Sequence, residues 1–214
     1  EMFQDGALYS IAMFAAAAWL FKMWLCDLRG FAADGKARKG EFPGARPAPL
    51  GLSAAGVLCG LVLLAGITAA EIASGEVGEQ TKVSFWALFS WVGAAFIEEL
   101  VFRGYLVVEN RGRAALWGSV FAFSLLFALC HPFFWDFSVP EGGSVFDGVF
   151  SLDFSAKAFR DSANVFVSSL AFYILRFCPQ NGMRSLIPCV AAHLAYNVGV
   201  FCVKAAQGFV VWTF

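Results

Sequence analysis

Residues 84–108 read SFWALFSWVGAAFIEELVFRGYLVV. The stretch is long enough to cross a bilayer as a helix, which takes about 20 mostly apolar residues. Yet Glu98, Glu99 and Arg103 lie within it. A charged side chain at the centre of a hydrocarbon layer costs about 2.5–3.5 kcal/mol on insertion scales. A chain keeps such groups there when they pair, line a wet cavity or do chemistry. Glu99 and Arg103 stand four apart, which puts both on one helix face. The stretch therefore predicts a membrane helix that carries a polar functional face.

The rest of the chain fits that class. It has 214 residues, of which 59% are hydrophobic and 14% charged, with 25 Phe. Ordinary soluble domains carry about 25% charged residues. The fold class is all-α: a multi-pass helical membrane protein with about six transmembrane helices enclosing a polar cavity. The spans are expected at Leu8–Cys26, Leu50–Ala70, Ser84–Val108, Ala114–Phe134, Ala163–Phe177 and Ser185–Val203. One integral domain covers residues 1–214, with an N-terminal two-helix part at 1–83 and a core at 84–204 that holds the polar groups. A net charge of −1 excludes the basic footprint that a nucleic-acid partner would need. No internal repeat stands out. Glu1 rather than Met opens the chain, which leaves a preceding segment or a cleaved signal peptide open.

The connections alternate in sign. Arg29, Lys36, Arg38, Lys39 and Arg46 follow span one, Arg111 and Arg113 follow span three, and Arg176 and Arg184 flank the turn after span five. Glu71, Glu76 and Glu79 follow span two, and Asp136, Glu141, Asp147, Asp153 and Asp161 follow span four. The positive-inside rule puts the basic set in the cytoplasm and both termini outside. The location expected is the cell membrane, specifically a bacterial inner membrane.

Smaller features have plainer readings. Cys26, Cys59, Cys130, Cys178, Cys189 and Cys202 form no CxxC and read as small core hydrophobes. Gly56 and Gly60 form a GxxxG, expected to let two helices of the chain approach closely, with dimerisation the weaker use. The linker 132–162 is long and rich in Phe, and reads as an aromatic flap at the outer interface, with plain loop packing the equal alternative. The tail from Gly208 is too short to span and is expected at an interface, with Trp212 as an anchor.

The only two histidines are His131 and His193. Phe127 precedes His131 by four, and Asn197 follows His193 by four. Counting about 1.5 Å per residue from the turns puts Glu98 and Asn197 at matching depth and His131 roughly 7–8 Å further. A buried carboxylate can take a proton from water. An imidazole can steady that water or pass a proton to a leaving amine. Asn and His donors stabilise an oxyanion best in a dry site. Glu98, His131, His193 and Asn197 are thus a sufficient kit for amide hydrolysis without a covalent intermediate. Cys130 points about 100° away from His131 on a helix, which argues against a Cys–His dyad.

The same residues carry a family resemblance. Glu98-Glu99-Leu100-Val101-Phe102-Arg103 matches EExxxR, Phe127-Ala128-Leu129-Cys130-His131 matches FxxxH, and His193-Leu194-Ala195-Tyr196-Asn197 matches HxxxN. In this order they resemble the CPBP family of CAAX proteases and bacteriocin-processing enzymes, over about 84–204. The resemblance implies glutamate-type, metal-independent intramembrane proteolysis with no cofactor. It implies Glu98 as the base assisted by His131, His193 and Asn197 as the oxyanion site, and Glu99 with Arg103 as a supporting pair. The implied partners are the bilayer and a membrane-anchored or exported polypeptide. The alternatives are a zinc site using Glu98, His131 and His193, a non-catalytic scaffold, and a transporter with Glu98 as its proton site.

Overall fold

The computed structural model describes residues 6–140 and 142–212. It is a helical protein with six α-helices among the described residues: α1 (Ala7–Asp34), α2 (Leu50–Ser74), α3 (Ala87–Glu98), α4 (Arg113–Cys130), α5 (Ala156–Phe177) and α6 (Ile187–Ala206). Four of them, α1, α2, α4 and α6, are long and apolar enough to cross a membrane. Their surfaces stay apolar: only 11% of the apolar window of α1 or α2 is buried in protein. Apolar faces of this extent call for lipid.

Two of the six expected spans are built differently. Span three is α3 followed by a π-helical segment, Glu99–Tyr105, after which the backbone leaves the helix. Span five is the second half of α5, whose first half carries Lys157, Arg160 and Asp161. Extra polar residues made α5 amphipathic and hid its start.

The chain divides into two compact units. The first comprises Glu1–Leu106 and Phe172–Phe214, the second Val107–Ala171.

In the first unit α2 packs on α6, α6 on α3, and α3 on α1. Glycines set the close approaches. A side-chain carbon on Gly56 would strike the Pro188 carbonyl of α6, and one on Gly60 the Ala192 carbonyl. The Gly56–Gly60 pair is therefore used inside the chain, as small residues at a membrane helix interface are. Gly93 of α3 faces Ala17 and the Met13 carbonyl of α1. Trp24, Phe96, Leu100 and Leu186 form the core, together with Ala45 from the connection between α1 and α2.

That connection is built into the unit. Trp24 Nε1 donates to Pro43 O (3.2 Å), Phe42 N to Asp27 Oδ2 (2.9 Å), Leu186 N to Gly44 O (3.0 Å) and Ser185 Oγ to Arg46 O (2.6 Å). Gly44 has φ 63°, and a side chain there would also meet Arg176 and Leu186. At the other end β1 (Val83–Ser84) pairs in parallel with β4 (Val210–Val211), over Ala87 and Phe201. The tail thus folds back, and Trp212 rests on Phe85 (5.7 Å between ring centroids) while staying half-exposed.

In the second unit the linker is not structureless. β2 (Trp135–Ser138) and β3 (Val149–Leu152) form an antiparallel hairpin. Ser124 and Ser169 join α4 to α5 through a buried hydroxyl contact of 3.0 Å, and Phe121 meets Phe166 edge-on at 5.4 Å. Asp153 accepts from Ser155 N (2.8 Å), and Ser155 Oγ from Ala158 N (3.1 Å), which starts α5.

All six cysteines are free. Cys189 alone is fully buried, so the core reading holds for it; Cys26, Cys130 and Cys202 are exposed instead.

Candidate active site

The helix α3 ends where its carboxylates begin. Glu98 is its last residue, and from Glu99 the backbone widens into the π segment, closed by Leu106 N donating to Val101 O (2.8 Å). Short π stretches recur at functional sites. Tyr173 satisfies carbonyls at the end of the segment: its hydroxyl donates to Phe102 O (2.6 Å) and lies 3.2 Å from Leu106 O. In lipid such carbonyls have no water to turn to.

Glu99 and Arg103 are both fully buried and form an ion pair at 3.1 Å. The guanidinium lies 5.4 Å from the Phe172 ring centroid and 5.1 Å from that of Tyr173. Two aromatic faces therefore steady the cation as well.

His193 of α6 stands between the two glutamates. Its Nδ1 is 2.8 Å from Glu99 Oε1, and its Nε2 is 3.8 Å from Glu98 Oε2. The carboxylate can only accept, so Nδ1 carries the proton. Nε2 is then the atom turned to Glu98: a lone pair in the neutral ring, a donor in the imidazolium. Phe172 covers the ring at 5.3 Å. Glu98 is the most open member of the group, its side chain 31% exposed.

Asn197 does not sit level with Glu98. Its Nδ2 donates to Trp91 O (3.0 Å), back along α3 from Glu98, while His193 takes the level of the glutamates. The depth count assumed continuous helix down to the turns, whereas Leu106–Gly112 is not helical and α6 begins only at Ile187. One Asn197 amide hydrogen is committed to the backbone and one remains.

His131 belongs to the second unit. It caps α4 with extended backbone (φ −85°, ψ 132°). Its Nδ1 is 2.8 Å from Phe127 O, and its ring meets the Phe127 ring at 4.7 Å and stacks on Phe133 at 6.2 Å. The carbonyl again fixes the proton on Nδ1. Both histidines of the chain thus hold the same tautomer, with the proton on Nδ1. Spacing of four explains the Phe127–His131 contact.

The sequence did not disclose the bond from Glu99 to His193, nor the roles of Phe172 and Tyr173. The Glu98–Glu99 doublet was the available signal, since adjacent helical residues diverge by about 100° and can flank a third group. Among the described residues no three His, Cys, Asp or Glu side chains are gathered as an ion's ligands.

A buried carboxylate, guanidinium and imidazole among membrane-crossing helices define an integral membrane protein with an internal polar site. The model of one family, type II CAAX prenyl endopeptidase Rce1-like, matches residues 80–199, more than half of the chain. The chain belongs to that family, within the CPBP group. It is accordingly a CAAX-type membrane protease, whose substrate is a membrane-associated polypeptide. Neither a curated protein nor a solved structure matches the chain significantly.

Proposed function

We propose that the chain is a glutamate-type intramembrane endopeptidase in which Glu98 activates water. One observation carries this reading: His193 Nε2 and Glu98 Oε2 lie 3.8 Å apart, with Nδ1 tied to Glu99. A water can complete the triangle within hydrogen-bond reach of both atoms. Glu98 takes its proton as the water oxygen attacks the scissile carbonyl. The oxyanion is met by the remaining Asn197 N–H and by His193 Nε2–H, which requires His193 as the imidazolium at that step. On its FxxxH motif His131 is assigned to proton transfer at the leaving amine: its Nε2 lone pair takes up the proton removed from water and gives it to the amine. Glu99 and Arg103 hold His193. Residues 84–204 are the catalytic core in this reading.

The charge pattern of the connections supports an orientation with the hairpin side outside, in a bacterial inner membrane. Substrate then enters from that face or laterally, and is a membrane-anchored or exported polypeptide cut beside its membrane segment. A cytoplasmic CAAX tail is the competing substrate.

The test is cleavage of both substrate types by purified protein in nanodiscs. Glu98→Gln, His131→Ala and His193→Ala abolish turnover while remaining monodisperse, and a chelator leaves the wild type active. Full turnover by Glu98→Gln ends the reading; chelator-sensitive turnover replaces it with a metal-dependent one.

A further inference from the structure

The register of the hairpin sorts its residues by face. Trp135 pairs with Leu152, Asp136 with Ser151, Phe137 with Phe150, and Ser138 with Val149. Side chains alternate along a strand, and directly opposed residues share a side. One face therefore carries Trp135, Phe137, Phe150 and Leu152. The other carries Asp136, Ser138 and Ser151, with Val149 as its one apolar member.

The apolar face is a continuous surface. The Trp135 and Phe150 rings stack at 5.4 Å, and Phe137 lies 6.1 Å from Phe150. It is also uncovered: Phe150 is 62% and Leu152 63% exposed. At the tip Phe146 is 98% exposed. Two strands alone are marginal in water, and a bare aromatic face makes them more so.

The position of the hairpin identifies what covers it. α4 is an apolar helix long enough to cross the bilayer, and it ends at Cys130, with four residues between it and β2. Trp135 Nε1 donates to Leu129 O (2.9 Å), which ties the root of the hairpin to the last turn of that helix. Phe121, Leu125 and Leu129 carry an exposed apolar surface up the same helix. The bilayer interface is about 5–8 Å deep on each side of the hydrocarbon. A short hairpin fixed to the end of a spanning helix lies in that layer, where Trp and other amphipathic aromatics gather.

We propose that the apolar face and tip of the β2–β3 hairpin bed into the headgroup layer of the bilayer, in the leaflet where α4 ends. The partner is the lipid interface itself, bound by apolar burial. Charge does not help: the nearby groups are Asp136, Asp147 and Asp153, which repel anionic headgroups. Asp147 and Asp153 are engaged in turns, accepting from Ser144 N and Ser155 N (2.8 Å each). The hairpin root holds His131 and its stacking partner Phe133, so lipid contact by the hairpin fixes the depth of that histidine.

The experiment uses the full chain in phosphatidylcholine nanodiscs. Single cysteines replace Phe146 or Asp136 in a cysteine-free background and carry an environment-sensitive fluorophore. Lipids bear a nitroxide either near the headgroup or deep in the acyl chain. The Phe146→Cys label emits to the blue and is quenched more by the shallow nitroxide, at any anionic lipid fraction. The Asp136→Cys label emits as in water. A water-like Phe146→Cys label overturns the proposal, as does a blue-shifted label that no lipid nitroxide quenches, which would mean protein covers the face. The wild-type chain gives a second measurement. Phosphatidylcholine with a headgroup-proximal photoreactive diazirine labels the peptide holding Phe146 and Phe150. Labelling of α4 without that peptide overturns the proposal equally.

Discussion

His193 Nδ1 lies 2.8 Å from Glu99 Oε1, although the two residues are 94 positions apart in the chain. The contact joins α6 to the π segment after α3 and leaves Nε2 toward Glu98. It gives the adjacent glutamates unlike surroundings. Glu99 is sealed and holds the ring, whereas Glu98 reaches open space.

That division is testable by paired substitutions. Glu99→Gln leaves the buried Arg103 charge uncompensated, which costs about 3–5 kcal/mol when one partner of a buried pair is removed. Its thermal midpoint in detergent falls well below wild type. Glu98→Gln, at a partly open position, keeps a near-native midpoint while losing turnover. Equal midpoints for the two variants would contradict the assignment.

Arg103→Lys is expected to lie between wild type and Arg103→Ala. A lysine retains the charge for Glu99 but lacks the planar group that lies over Phe172 and Tyr173. Thermal melting and turnover measured on the same samples rank the three. A stable but inactive Arg103→Ala would move Arg103 from support to substrate contact.

Tyr173→Phe removes the hydroxyl that donates to Phe102 O. Losing one such hydrogen bond costs about 0.5–1.5 kcal/mol. The variant melts earlier, and amide exchange quickens in the peptide spanning Glu99–Tyr105. Unchanged exchange there would show that the hydroxyl does not hold the π segment.

Gly60→Ala and Gly66→Ala should differ in sign. The added carbon at Gly60 meets the Ala192 carbonyl, next to His193, whereas Gly66 has nothing within 4 Å. Overpacking costs typically about 1–3 kcal/mol, and Gly to Ala in an open helix gains about 0.5–1 kcal/mol. Gly60→Ala lowers stability and turnover together; Gly66→Ala does neither.

Stability should also depend on acid through Glu41, in the connection between α1 and α2. The hydrogen bond from Arg46 holds its carboxyl below the ordinary value of 4.5. A lowered folded-state value stabilises the fold once pH exceeds the unfolded value, and that contribution fades as pH falls through the folded one. Melting curves of wild type and Glu41→Gln therefore separate near neutrality and converge as pH falls through the lowered folded-state value. A gap that persists in acid would trace the stability to shape rather than charge.

The sequence alone determined what depends on short spacing and composition. Long apolar runs specify membrane helices because lipid leaves the backbone few other ways to satisfy its hydrogen bonds. Spacing of four along a helix brought out Glu99–Arg103 and Phe127–His131, and the three motifs together brought out the family. The tertiary structure alone decided what depends on how distant segments meet. The widening at Glu99 has no marker in composition. Asn197 fell level with the Trp91 carbonyl because depth counts presume helix where the chain runs otherwise. The hairpin was hidden because no other segment among the described residues covers its apolar face, so only the strand register sorts Phe137 and Phe150 from Asp136 and Ser151. The choice of Glu99 as the partner of His193 rests on α6 settling against α3 and the segment that follows it. That is a property of packing between helices, which no local pattern in any one of them contains.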